Sequence, residues 1–119
     1  MIPMILLLAA IASPIPATVE RVKDGDTLLV VAHLPFDVHI TLSIRVDGVN
    51  CPERRGLRAK AGADAKKFAE TWVAAYPEVM IVDTGKRSFE RWVSTVCPPG
   101  GGQCLAESLI ASGLCKVRP

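Results

Sequence analysis

A single amphipathic helical stretch interrupts an otherwise β-prone chain, and its position decides which folds remain open. Ala61, Ala65, Phe68, Ala69, Trp72, Val73 and Tyr76 recur at helical spacing, with Asp64, Lys66, Lys67 and Glu70 on the opposite face. Pro77 ends the pattern, because proline cannot continue a helix. The aromatic residues of this stretch read as core rather than as a ligand platform.

The flanking runs are strands. Ala17 to Lys23 alternates imperfectly, which predicts a bulge or a strong twist. Asp24-Gly25-Asp26 is a turn signal and Thr27 to Ala32 is β-rich, so the two runs form a hairpin whose turn carries two carboxylates. After a loop through Pro35 and Asp37, His39 to Val46 alternates cleanly. Ile40, Leu42, Ile44 and Val46 share its apolar face, so Arg45 points the other way, toward solvent or a groove. Beyond the helix, Val79 to Val82 and Arg87 to Val96 read as antiparallel neighbours across Asp83, Thr84 and Gly85. Leu105 to Ser112 makes a short helix with Leu105, Leu109 and Ile110 on one side and Gly113 as its stop. The order β, β, β, α, β, β, α predicts a mainly β member of the α+β class. It is the order of a five-stranded OB-type barrel, with a helix between strands 3 and 4 and a short C-terminal helix. That scaffold often binds nucleic acids or oligosaccharides.

The 119 residues hold one domain, half of them apolar, without internal repeats or like-charge tracts. A formal net charge of +2 is too mild to attract polyanions in general, so any nucleic-acid contact must come from local clustering. Arg54, Arg55, Arg58 and Lys60 supply such a cluster, although a basic run of this kind is most often a solvated loop. Residues 1–12 are apolar but too few to span a bilayer, and Ala10 and Ala12 give the small-x-small pattern of a signal-peptidase site. The chain therefore divides into an export signal at 1–12 and a domain at 13–119, with a secreted or periplasmic destination and no lasting membrane association. In that oxidising setting Cys97 and Cys104, which bracket a flexible Pro-Pro-Gly-Gly-Gly-Gln loop, are the expected disulfide. Cys51 and Cys115 are free thiols, or a second pair if the fold brings them close. His33 and His39 flank the Pro35 loop without a metal-like partner and read as ordinary loop or strand-edge residues.

Three separated pieces share one chemical theme: Asp24 and Asp26, the segment from Arg45 to Glu53, and Arg91. Hard oxygen ligands suit Ca²⁺ or Mg²⁺, arginines suit phosphodiester oxygens, and a carboxylate that orients or deprotonates water would complete a hydrolytic site. At VKDGDT (Val22 to Thr27), IRVDGVNCPE (Ile44 to Glu53), AGADAKKF (Ala61 to Phe68), RSFERWV (Arg87 to Val93) and the ending ESLIASGLCKV, the chain resembles the staphylococcal nuclease family. Its members are Ca²⁺-dependent phosphodiesterases on an OB barrel. The resemblance implies metal binding by Asp26, supported by Asp24, and by the backbone carbonyl of Cys51. It implies phosphate binding by Arg45 and Arg91, and a general base in Glu53. Asn50 stands where the family usually has a second metal-binding aspartate, which predicts a weakened metal site. The end at Pro119 lacks the aromatic residues and third helix with which family members continue, implying lower substrate affinity and stability.

The expectation is a monomeric, exported, Ca²⁺-dependent nuclease. It would act on DNA, and on RNA through the same chemistry, with single strands preferred. The alternative is a non-catalytic OB module that binds nucleic acid and has lost metal competence through Asn50.

Overall fold

The computed structural model describes residues 13–119; the expected signal at 1–12 lies outside them. Strand β1 (Ile15–Asp24) turns through Gly25 and Asp26 into β2 (Thr27–Leu34), and β2 turns through Pro35 to Asp37 into β3 (Val38–Val46). A short β4 (Val49–Asn50) and a 3₁₀ turn (Gly56–Arg58) lead to helix α1 (Ala59–Ala75). Then come β5 (Glu78–Ser88), β6 (Arg91–Cys97), helix α2 (Leu105–Ala111) and the two-residue β7 (Lys116–Val117). Strands β1, β2, β3, β6 and β5 close into a barrel in that order. The β3–β6 contact is parallel and the other pairings within the barrel are antiparallel. This is the expected five-stranded OB-type barrel with a helix after its third strand.

Alternation along the strands fills the barrel. Leu28, Val30, Ile44, Val46, Val79 and Val96 are fully buried, and Ala65, Ala69 and Trp72 of α1 and Leu105 and Leu109 of α2 extend the core below. The irregular pattern of β1 has its cause in two register shifts against β2, between Val19 and Arg21 and between Val22 and Asp24. The second shift leads directly into the Asp24–Asp26 turn.

One turn lies elsewhere than expected. Asp83, Thr84 and Gly85 do not reverse the chain; β5 runs on to Ser88, and the hairpin turn is Phe89 and Glu90, with Phe89 at φ 57°. The Asp-Thr-Gly triplet instead builds a bulge opposite Val93 and Ser94. Asp83 Oδ1 accepts from the Gly85 N–H at 2.9 Å, while Thr84 Oγ1 donates to the Val93 carbonyl at 2.7 Å. The same side chains that cap a turn can satisfy the loose backbone of a bulge. As a result Arg87 and Ser88 belong to β5, and Arg91 opens β6 beside the turn.

Both cysteine pairs are bonded: Cys97 to Cys104 as expected, and Cys51 to Cys115. The second bond ties the segment after β4 to the segment before β7. These two short strands also pair with each other, Val49 with Val117 and Asn50 with Lys116. This two-stranded clip has no alternation to announce it in the sequence.

Candidate functional site

The residues expected to carry chemistry converge on one cleft of about 400 Å³ at the barrel mouth. Asp24, Asp26, Arg45, Asn50, Cys51, Glu53 and Arg91 all line it. Three elements deliver them: the β1–β2 turn, the end of β3 with the β4 loop, and the start of β6.

Arg45 is not a strand-face residue in water. It is 5% exposed and Asp26 7% exposed, with Arg45 Nη1 2.9 Å from Asp26 Oδ2. The guanidinium also donates to the Val49 carbonyl at 3.0 Å and to Asn50 Oδ1 at 3.2 Å. Asp26 Oδ2 further accepts the Cys51 N–H at 2.7 Å, and Oδ1 accepts from the Thr27 hydroxyl at 3.2 Å. Burial pulls the Arg45 pKa below its ordinary value. Asp26 opposes that pull, while Arg118 and Arg91 add to it. The group stays cationic, since guanidinium does not lose its proton in proteins.

Arg91 lies across the cleft, half-buried, and donates to the Thr27 hydroxyl at 3.1 Å and to Ser88 Oγ at 3.2 Å. Neither contact involves an opposing charge, so its positive charge remains available to a ligand. Glu53 is exposed, and among the described residues it has no hydrogen-bonding or ion-pairing side chain. Its neighbour Arg54 bonds Asp24 instead, at 2.9 Å. Glu53 is thus a water-exposed carboxylate on the same cleft that Arg45 and Arg91 line.

The backbone of Glu53 is held by close packing against α1. A Cβ at Gly62 would stand 2.5 Å from the Glu53 carbonyl carbon and 2.7 Å from the Arg54 nitrogen. Alanine at a helix interior normally gains up to about 1 kcal/mol over glycine. Here the sign inverts: Gly62→Ala is expected to cost about 1–3 kcal/mol in thermal unfolding through backbone displacement. An equal or raised melting temperature would show that the Glu53 loop moves freely off the helix.

The sequence reading missed Arg118, which enters the same cleft. Its N–H donates to the Gly48 carbonyl at 3.0 Å, continuing the β4–β7 pairing. No local pattern marks it. Phe89, at the tip of the β5–β6 turn and 93% exposed, stands at the cleft rim with its ring 5.8 Å from the Arg91 guanidinium.

The donors fit a hard cation in kind. Asp26 offers carboxylate oxygens, Asn50 an amide oxygen and Cys51 a carbonyl, all in one cleft. In charge the set is lean, because Asp26 is the one carboxylate among these three and Arg45 already neutralises it. Among the described residues no three His, Cys, Asp or Glu side chains gather as a metal cage. The chain matches no protein-family model and no curated protein.

Proposed function

We propose that this protein is a Ca²⁺-dependent nuclease that hydrolyses phosphodiester bonds in DNA, and in RNA by the same chemistry, as its resemblance to the staphylococcal nuclease family implies. The observation that carries the reading is the convergence of Arg45, Arg91 and an exposed Glu53 on one cleft from distant parts of the chain. A phosphate seated between the arginines would receive charge-assisted hydrogen bonds that strengthen as negative charge builds on its oxygens. The Glu53 carboxylate would take a proton from water as the water oxygen bonds to phosphorus and the ester oxygen leaves. Asp26, Asn50 and the Cys51 carbonyl would hold Ca²⁺, which when bound supplies Lewis-acid polarisation of a phosphoryl oxygen. Single strands suit the cleft better than duplex, because a flexible backbone can bend into a narrow mouth beside the exposed Phe89 ring.

Export is part of the proposal. Two disulfides are compatible with an oxidising compartment, and no helix among the described residues is long and apolar enough to cross a membrane.

The engagement of Asp26 by Arg45, Cys51 N–H and Thr27 favours a second reading, a nucleic-acid-binding module without a working metal site. The two separate on heat-denatured DNA incubated with the protein, with Ca²⁺ or with chelator. Calcium-dependent fragments are expected. Folded protein that retards the DNA but leaves it intact across a wide Ca²⁺ range would transfer the conclusion to the binding module. Under either reading, affinity falls as salt rises.

Asn50→Asp restores a carboxylate to the lean donor set and is expected to tighten Ca²⁺ binding about tenfold in a calorimetric titration. An unchanged titration would place the cation away from Asn50.

A further inference from the structure

His33 and His39 are not the isolated strand-edge residues that the sequence suggested. They face each other as direct cross-strand partners in the β2–β3 hairpin. Their Nδ1 atoms lie 2.8 Å apart, and the rings meet edge to face at 80°. On its other side the His33 ring reaches Thr18 Oγ1 through Nε2 at 2.7 Å. The Thr18 hydroxyl in turn lies 2.8 and 3.0 Å from the two carboxylate oxygens of Glu78.

The protons in this chain can be assigned. A carboxylate only accepts, so the Thr18 proton points to Glu78, and Thr18 Oγ1 must accept from His33 Nε2–H. A neutral His33 then carries its lone pair on Nδ1, and the contact with His39 requires that His39 Nδ1–H donate to it. One proton thus sits between two imidazole nitrogens on a rigid antiparallel ladder. Behind one of them stands a hydroxyl–carboxylate relay of the kind that orients metal-ligating histidines.

We propose that His33 and His39 form a two-imidazole site for a borderline divalent transition metal, with Cu²⁺ preferred. The ion would replace the shared proton: His39 gives up its Nδ1 proton to solvent and takes one at Nε2, so both rings stay neutral, no net proton is released, and both Nδ1 lone pairs bind one ion whose other positions are filled by water. Adjacent positions of a tetragonal ion with bonds of about 2.0 Å are about 2.8 Å apart, whereas a tetrahedral ion needs about 3.3 Å. The cross-strand register holds the two Nδ1 atoms close enough to share one ion once the rings turn toward it, without strand movement. The order of intrinsic affinities puts Cu²⁺ first. The pair lies about 20 Å along the strands from the Asp26 and Arg45 cleft, six residues up β2 from Thr27. It also offers nitrogen, which a hard ion such as Ca²⁺ does not choose, so the two sites are chemically separate.

The test is a titration of the metal-free protein with Cu²⁺ in a non-coordinating buffer, followed by calorimetry and electron paramagnetic resonance. One Cu²⁺ per chain with nitrogen hyperfine coupling is expected, unmoved by excess Ca²⁺. His33→Gln and His39→Gln should each weaken binding at least tenfold, with circular dichroism unchanged for the exposed His39. Thr18→Val, which removes only the relay behind His33, should weaken binding by about tenfold. Absence of stoichiometric Cu²⁺ binding, or binding that survives both histidine substitutions, overturns the proposal.

Discussion

Replacing Cys51 and Cys115 together by alanine is expected to lower the unfolding free energy by about 4 kcal/mol, the loop-entropy value for a bond of this span. The two cysteines are 64 residues apart, so their bond restrains most of the unfolded chain. The Cys97–Cys104 bond spans only 7 residues, and its removal should cost about 2 kcal/mol. The larger loss also carries a local consequence. The Cys51 N–H holds Asp26 Oδ2, and the β4–β7 clip beside it brings Arg118 to the cleft. Urea unfolding of the two double variants should therefore rank them clearly, with the Cys51–Cys115 variant the weaker. Equal losses would mean that the long loop is already restrained in the unfolded chain.

Arg45→Met is expected to cost about 3 kcal/mol, at the lower end of the 3–5 kcal/mol found when one member of a buried ion pair is removed. The carboxylate of Asp26 would stay buried beside an apolar side chain, relieved only by Cys51 N–H and the Thr27 hydroxyl. The Val49 carbonyl and Asn50 Oδ1 would lose their donor as well. For a domain of this size, such a loss lowers Tm by roughly 10 °C or more. A shift of only a degree or two would show that Arg45 and Asp26 are solvated and unpaired in solution. The pair thus ties function to stability, because the arginine that would hold phosphate also neutralises the carboxylate that would hold the cation.

Much of the barrel could be read from local signals, because each of its first three strands carries a period or a turn of its own. The alternation from His39 to Val46 assigned Arg45 to the face opposite the core, and the turn at Asp24 to Asp26 set the first hairpin. What escaped depends on distance or on chemistry with two uses. Asp83-Thr84-Gly85 satisfies a bulge as readily as a turn, so the last hairpin was placed too early. The β4–β7 clip, Arg118 in the cleft and the Cys51–Cys115 bond are contacts between remote segments that no local pattern encodes. The histidine pair lies between these cases: a three-residue loop from Pro35 to Asp37 pairs Leu34 with Val38, and that register alone sets His33 opposite His39. The expected grouping of Arg45, Glu53 and Arg91 came from chemical theme and family resemblance, since no spacing in the chain predicts it.

On the proposed reading, the cleft at the barrel mouth does the cutting, with Glu53 as the group that takes the proton. The most direct test compares the protein with Glu53→Gln on one single-stranded oligonucleotide in Ca²⁺, measuring binding and cleavage separately. Glu53 is exposed and has no side-chain partner among the described residues, so the amide should leave folding unchanged and affinity within about twofold, while cleavage falls at least about a hundredfold. Cleavage by Glu53→Gln at the rate of the unaltered protein would contradict the account.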